Sequence, residues 1–374
     1  MDLEAFTEQD QQYMRRALEL AALGLTTTHP NPRVGCVLVQ GGAVVGEGWH
    51  RAAGEPHAEA LALAAAGESA RGATAYVTLE PCAHHGRTPP CVDALIAAGI
   101  SQVIYAGADP DPRVDGAGAA RLRAAGIRVR GGLLAAGADE LNAGFISRLR
   151  RGRPFVRLKI AASLDGRTAL ANGASQWISS EAARADVHRW RARSDAILTG
   201  IGTVLADDPQ LTVRLGDAAQ RQPLRVVLDS RLRLPRSAKV LNSTGKALIF
   251  SRRDAVGAEL AVAAQAAMRA DGIGLEWLEP GGDGLDLAAA LRHLAGALQI
   301  NELLVEAGAT LSGALLRLKL VDELLIYQAP ILLGQEARAL AQLPVLSQLA
   351  DATRFQFTEL AVVGGDLRIR LRPA

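Results

Sequence analysis

The chain has 374 residues, too many for one ordinary core and about right for two domains of roughly 100 to 200 residues each. Apolar residues make up 49% of it but aromatics only 4%, so Ala, Val, Leu and Ile must fill the cores, as in a globular enzyme. The 41 basic and 39 acidic residues leave a net charge of +2, which excludes the basic surface of a general nucleic-acid binder while leaving small anionic ligands open. The acidic start, Met1 to Asp10, lacks the marks of a signal peptide, and no window holds the about eighteen apolar residues of a spanning helix. The expected location is cytoplasmic, with no membrane or nucleic-acid partner. The three cysteines, Cys36, Cys82 and Cys91, are an odd number, and in a reducing compartment that favours metal binding or catalysis over a disulfide.

Apolar residues recur at helical spacing from Glu8 to Leu23. After the turn-rich TTTHPNP, two apolar runs, Val34 to Val39 and Ala43 to Trp49, join at Gly41-Gly42 and predict a hairpin. A helix over Glu55 to Ala66, a strand over Thr74 to Leu79, a helix over Pro89 to Ala98, a strand over Ser101 to Ala106 and a helix over Gly116 to Ala125 follow. The basic stretch Arg148 to Pro154 (RLRRGRP) then separates two domains, expected at 1–150 and 151–374. The second opens with a strand from Phe155 to Ala161 and a helix from Ser179 to Arg191. Strands are expected over Ala196 to Thr199, Arg225 to Leu228, Ala247 to Phe250, Leu303 to Glu306 and Glu323 to Tyr327. Helices are expected over Leu285 to Leu298 and Ser312 to Leu318, and the Ala-rich Ala255 to Ala270 keeps a helical pattern. The runs Phe355 to Val363 and Leu367 to Leu371 suggest an antiparallel edge. Alternation of this kind predicts an α/β protein, sheets layered with helices.

Most of the chemical information lies in PHAE at Pro56 to Glu59 and LEPCAHHGRTPPC at Leu79 to Cys91. One imidazole and two thiolates, from His57, Cys82 and Cys91, suit a tetrahedral Zn2+, and three protein ligands leave a fourth position open for catalysis. Prolines place His57 and Cys91 at helix starts, where the dipole helps keep a cysteine ionised. His57 and Glu59, two apart, converge only off a helix end, which suits Glu59 as the acid and base that moves a water's proton to a departing amine. Zinc deaminases carry H-x-E followed by P-C-x-x-C. Here nine positions separate the cysteines instead of three, a longer loop that should change the substrate and spare the metal chemistry. His84 and His85 are competing ligands, and Cys36, in VGCVLV, reads as a buried core thiol. Singly, His57 reads as an ordinary helix-start histidine and Glu59 as a solvated face; the joint pattern carries the reading.

These segments, together with HPNPRVGCVLV at His29 to Val39, KIAASLDGRTA at Lys159 to Ala169, SQWIS at Ser175 to Ser179, TVLADDPQLTVR at Thr203 to Arg214 and VEAGATLSGALL at Val305 to Leu316, run through the whole chain. In that order they resemble the bifunctional riboflavin-biosynthesis deaminase/reductases. The resemblance implies an N-terminal cytidine-deaminase-like three-layer α/β/α domain and a C-terminal dihydrofolate-reductase-like α/β domain. It implies deamination of 2,5-diamino-6-ribosylamino-4(3H)-pyrimidinone 5′-phosphate. NADPH-dependent reduction of the ribosyl group would then give 5-amino-6-ribitylaminouracil 5′-phosphate. By the same likeness Asn31 holds the pyrimidine. Ala161, Trp177, Thr203, Asp207 and Ser230 contact the cofactor, and Ser175, Arg191, Leu211, Arg214 and Glu306 contact the substrate. The family's DPNP loop reads DPDP here, at Asp109 to Pro112. A homo-oligomer is expected, as for many enzymes.

Read from its residues, the second domain lacks a full dinucleotide fingerprint, since Gly200-Ile201-Gly202 is only a fragment. A different cradle is available where a strand runs into Gly308 and a helix. Gly308, Ala309, Thr310, Leu311, Ser312, Gly313 and Ala314 would there offer backbone N–H groups and a positive dipole end to a cofactor phosphate. Arg191 and Arg214 fit a ribose phosphate, which favours a guanidinium fork. Lys159 and Asp165 are both candidates to assist proton transfer during hydride addition to the opened sugar's aldehyde. Asp165 with Gly166 equally suits a plain turn.

Overall fold

The computed structural model describes residues 5–83, 89–111, 116–216, 221–281 and 284–374. Its contacts divide the chain into two compact units, Met1–Gly152 and Arg153–Ala374. Within the first, the order is α1 (Glu8–Ala22), β1 (Gly35–Gln40), β2 (Ala43–Trp49), α2 (Ala58–Ala66), β3 (Thr74–Leu79) and α3 (Cys91–Ala97). Then come β4 (Gln102–Gly107), α4 (Ala117–Ala124), β5 (Arg128–Gly131), α5 (Ala135–Leu141) and α6 (Ala143–Arg151).

The sheet order is β2-β1-β3-β4-β5, with β1 antiparallel to β2 and β3, and β3, β4 and β5 parallel. Met14, Ala17 and Leu20 of α1 pack with Val37, Val39 and Ile104 on one face, joined by Ala138 of α5. Ala58 and Ala62 of α2, Val92 and Leu95 of α3 and Leu122 of α4 cover the other, against Cys36, Leu38 and Val77. This is the three-layer α/β/α arrangement, and it explains why β3 reads as one apolar run: helices cover both its faces. Cys36 is fully buried in this core, as expected. The stretch Arg148–Arg151, read as a separator, is instead the last turn of α6, and the chain breaks only at Gly152. The expected helix at Glu55 to Ala66 begins at Ala58, because His57 has extended backbone angles and acts as its N-cap.

The second unit runs β6 (Phe155–Ser163), β7 (Arg167–Ala169), α7 (Glu181–Arg193), β8 (Ala196–Gly200), α8 (Ile201–Asp207), β9 (Leu224–Leu228) and α9 (Lys239–Asn242). It continues through β10 (Ala247–Ser251), α10 (Arg253–Val256), α11 (Ala258–Ala270), β11 (Gly274–Trp277), β12 (Pro280–Gly281), β13 (Gly284–Leu285) and α12 (Leu287–Gly296). It ends with β14 (Glu302–Glu306), α13 (Ala309–Arg317), β15 (Glu323–Ala329), β16 (Arg338–Ala339), β17 (Phe355–Val363) and β18 (Asp366–Pro373). The nine-stranded sheet has the order β11-β10-β9-β8-β14-β6-β15-β18-β17, and only the last three form antiparallel pairs. One face carries Leu291 and Leu294 of α12 with Leu315 and Leu316 of α13, and the other carries Val187 and Trp190 of α7 with Val204 of α8 and Met268 of α11. The Ala-rich helix is interrupted at Gly257, and α13 starts three residues before the expected Ser312.

An ionic network lies within this second unit. Arg157 of β6 is 1% exposed and bonds to two fully buried carboxylates, Glu302 of β14 at 3.1 Å and Glu323 of β15 at 2.5 Å. Arg193 and Arg370 complete the two acids, and the Trp190 ring lies 4.5 Å from the Arg157 guanidinium carbon. No helix among the described residues is long and apolar enough to cross a membrane.

Candidate active sites

Three separate pieces of chain meet at one end of the first unit. His57 caps α2, Cys82 follows β3, and Cys91 opens α3 after Pro90. His57 Nδ1 lies 3.0 Å from Cys91 Sγ and 3.7 Å from Cys82 Sγ, and the Cys91 amide donates to Cys82 Sγ at 3.3 Å. All three donor atoms fall within 4.8 Å of one another. Tetrahedral zinc bonded at about 2.0–2.3 Å separates its ligands by roughly 3.3–3.8 Å; the 3.7 Å pair falls in that range and the 3.0 Å pair has to open by a few tenths of an ångström, so the donor set suits that ion. His84, His85, Gly86 and Arg87, including the two histidines weighed as competing ligands, lie outside the described residues.

The charges are arranged to suit. A hydrogen bond from Cys91 brings the Cys82 thiol down to about 4, and the same bond pushes Cys91 up. Cys82 raises the pKa of His57 in turn. Glu59, 3% exposed at the second position of α2, is raised first by burial and then by the charge of Cys82. A buried carboxyl held above its ordinary range beside an open metal position is suited to receiving and returning a proton.

Two residues support this loop. Glu80 Oε2 and Oε1 accept the Gly116 and Ala119 amides at 3.2 and 3.0 Å, capping α4. Gly118 lies so close that a Cβ there would stand 1.9 Å from the Pro81 carbonyl oxygen, beside Cys82. On the other side, His50 Nδ1–H donates to the Pro56 carbonyl at 3.2 Å, which leaves Nε2 to accept from Asn31 Nδ2 at 3.0 Å.

In the second unit the β14–β6 register sets Glu306 directly opposite Lys159. Lys159 Nζ and Glu306 Oε2 are 3.9 Å apart. Arg191 of α7 grips the same carboxylate, Nε to Oε1 at 2.6 Å and Nη2 to Oε2 at 3.0 Å, and brings Glu306 down to about 2 although burial alone would raise it. Burial lowers the pKa of Lys159. These groups line a cleft of about 2180 Å³ beyond the ends of the parallel strands, the usual ligand position in such sheets. A drug-sized ligand needs roughly 300–1,000 Å³, so the cleft has room for a dinucleotide and a second ligand.

Residues 7–107 match the family model for the cytidine and deoxycytidylate deaminase zinc-binding region, and residues 154–369 match that for the RibD C-terminal domain. The riboflavin biosynthesis protein RibD of Escherichia coli is 50% identical, the match covering 97% of this chain and 99% of that protein. The chain belongs to the RibD family. The crystal structure of Acinetobacter baumannii RibD (form 1) superposes with a TM-score of 0.89 at 46% identity, covering 98% of this chain and 99% of that one. A Thermotoga maritima protein described as a diaminohydroxyphosphoribosylaminopyrimidine deaminase/5-amino-6-(5-phosphoribosylamino)uracil reductase gives 0.85 at 32% identity, with the same coverage. As a RibD-family protein the chain is a bifunctional deaminase and reductase of riboflavin biosynthesis, with a zinc-binding deaminase domain followed by a reductase domain.

Against this RibD framework, most residues named from sequence come together. Ala161, Trp177, Thr203, Asp207 and Ser230 line the second unit's cleft with Ser175, Arg191, Leu211, Arg214 and Glu306. Gly308, Ala309, Thr310, Leu311 and Ala314 line it too, and no side chain caps the α13 N-terminus, so its first amides suit a cofactor phosphate. Ser312 and Gly313 do not line it. Ser312 is fully buried, and a Cβ on Gly313 would stand 2.0 Å from the Gln342 carbonyl oxygen, so this side of α13 packs against backbone.

The sequence left Lys159 and Asp165 undecided, and their surroundings differ. Asp165 takes hydrogen bonds from Ser163 Oγ at 2.5 Å and from the amides of Leu333 and Gly334, at 3.1 and 2.8 Å, so it ties down a loop. In the DPDP segment Asp109 and Asp111 are buried, the Asp111 amide donates to Asp109 Oδ1 at 2.9 Å, and burial pushes Asp109 up to about 6; Pro112 lies outside the described residues. Sequence reading missed His50, which lies in the loop after β2 and carries no motif of its own.

Proposed function

We propose that this chain performs two consecutive steps on one phosphorylated pyrimidine. The first unit deaminates 2,5-diamino-6-ribosylamino-4(3H)-pyrimidinone 5′-phosphate, and the second reduces its ribosyl group to ribityl, giving 5-amino-6-ribitylaminouracil 5′-phosphate. The observation that carries this reading is the pairing of two unlike sites in a RibD-family chain: a His-Cys-Cys donor set with a buried Glu59, and a Lys159–Glu306–Arg191 array in a roomy cleft.

In the deaminase step, His57, Cys82 and Cys91 would hold Zn2+, which would supply the Lewis acid that activates a water. Glu59 takes the water's proton and passes it to the departing amine. Asn31, steadied by His50, keeps its carbonyl oxygen and one amide N–H for the pyrimidine edge.

In the reductase step, Ala161, Trp177, Thr203, Asp207, Ser230 and the α13 N-terminus would hold NADPH, which would supply the hydride. Lys159, buried beside Glu306, holds the proton for the opening sugar, because Asp165 is engaged by its loop. Arg191 is committed to Glu306, whereas the Arg214 guanidinium, among the described residues, bonds to the neutral acceptors Gln210 Oε1 at 2.9 Å and Thr212 Oγ1 at 3.3 Å. Its charge therefore suits the 5′-phosphate, with Ser175 and Leu211 bordering the substrate.

The enzyme is read as cytoplasmic, without nucleic-acid or membrane partners, in keeping with its net charge of +2. It is read as a homo-oligomer, since Phe357, Leu360 and Val362 of the edge strand β17 are 66%, 59% and 79% exposed.

Zinc-loaded protein incubated with the diaminopyrimidine nucleotide, with and without NADPH, tests the reading through ammonia release and absorbance at about 340 nm. Ammonia in both cases, with NADPH consumed only after it, is the expected result. NADPH loss without ammonia, or no ammonia at all, overturns the order or the first step.

A further inference from the structure

Residues 211–214, which carry Leu211 and Arg214 into the cleft, belong to no sheet among the described residues. The backbone polar groups of this segment are held instead by three side chains. Arg191 Nη1 donates to the Thr212 carbonyl at 3.0 Å. Gln222 takes the Val213 amide at 2.9 Å on Oε1 and donates from Nε2 to the Val213 carbonyl at 3.2 Å. The Arg214 amide donates to His188 Nδ1 at 3.1 Å. His188 and Arg191 stand three apart on α7, hence on one face, and together offer this segment one acceptor and one donor.

The segment also needs such holding for a local reason. Leu211 has φ +52°, a left-handed conformation that leucine adopts only when its surroundings enforce it. Leu211, Thr212 and Val213 are 3%, 7% and 5% exposed, so they anchor the segment and leave Arg214 exposed at its end.

We propose that His188 is a positioning residue for the reductase step: through Nδ1 it holds the Arg214 backbone so that the guanidinium meets the substrate's phosphate. This rests on the reading of Arg214 as the phosphate ligand. To accept from an amide, Nδ1 must carry no proton, which requires the neutral tautomer protonated at Nε2. Burial, followed by the positive charges of Arg191 and Arg214, brings His188 down to about 4, against the opposing pull of Glu306 and the Thr212 backbone. The imidazole is therefore an acceptor at neutral pH.

The role separates from general structural support by substrate and by side-chain shape. Asparagine places its carbonyl oxygen where Nδ1 stands, whereas alanine removes the acceptor and glutamine sets it too far out. Reduction is measured for the phosphorylated aminouracil nucleotide and for its dephosphorylated riboside, with NADPH affinity followed by nucleotide fluorescence. His188→Ala is expected to lower kcat/KM for the nucleotide about tenfold, mainly through KM. The riboside rate and NADPH affinity should stay unchanged, and His188→Asn should recover most of the loss. Combined with Arg214→Ala, His188→Ala should add nothing further. Equal losses for nucleotide and riboside, or a His188→Asn variant as impaired as His188→Ala, overturn the proposal. If Arg214→Ala abolishes discrimination between the two substrates while His188→Ala keeps it, the positioning role alone fails. If Arg214→Ala keeps that discrimination, the phosphate reading fails and takes the proposal with it.

Discussion

Arg191 holds Glu306 through two parallel hydrogen bonds, 2.6 and 3.0 Å long, and a third from its guanidinium reaches Thr212. The fork thus links the strand-end acid beside Lys159 to the segment that carries Arg214. Lysine at 191 would keep the charge but lose the planar two-point grip. Arg191→Lys should lower reductase kcat/KM about tenfold or more, with ammonia release from the deaminase step unchanged. A reductase of wild-type efficiency would show that charge alone suffices there.

Glu59 is assigned proton transfer and no metal bond. Glu59→Gln keeps the size and removes the titrating group. Ammonia release should fall by about two to four orders of magnitude, while zinc content, read by atomic absorption, stays at about one ion per chain. Zinc lost in step with activity would instead make Glu59 part of the metal site.

Gly118 stands where the start of α4 presses on Pro81. A methyl group there would displace the Pro81 carbonyl and with it the neighbouring Cys82. Gly118→Ala should cost roughly 1–3 kcal/mol of stability in the first unit and weaken zinc binding in a chelator competition assay. NADPH-dependent reduction of supplied aminouracil nucleotide should persist. Zinc affinity equal to the parent's would mean that the loop adapts.

Arg157 is enclosed between Glu302 and Glu323, both fully buried. Removing one partner of such a group leaves charge without compensation, at a cost of about 3–5 kcal/mol. Arg157→Met should therefore lower the unfolding free energy of the second unit by that amount, read from denaturant unfolding followed by its near-ultraviolet signal. A neutral or stabilising outcome would show that the acids find enough compensation in Arg193 and Arg370.

Two carboxylates of the second unit, Glu323 of this network and Glu306 of the cleft, give a pH dependence of known sign. Burial alone would raise Glu323, but Arg157 and Arg370 prevail and bring it down to about 2; Glu306 is likewise at about 2. A depressed carboxylate adds stability that is fully present above the unfolded value, about 4.5, and is lost as pH falls toward 2. Thermal unfolding of the second unit should accordingly decline through pH 4.5 to 2, and a midpoint flat across that range would contradict the assignment.

The zinc site was legible from the sequence because His57, Glu59, Cys82 and Cys91 carry chemistry that few other residue types can supply, in a spacing bound to helix starts. His50 was not legible, since a histidine in a loop acquires meaning only when the fold brings it 3.0 Å from Asn31. Nor did the strand-Gly-helix reading reveal that Ser312 and Gly313 turn from the cleft, because the segment at Gln342 that covers them lies far along the chain.

Sequence alone determined the α/β class, the order of most elements and the candidate zinc donors, since periodicity and ligand chemistry are local properties. Only the tertiary structure showed that Asp165 is engaged by its loop while Lys159 stands 3.9 Å from Glu306, and that Arg191 is bound to Glu306 while Arg214 meets neutral acceptors. The physical reason is that a charged side chain's work depends on its partners, and a partner can lie more than a hundred residues away, as Glu306 does from Arg191.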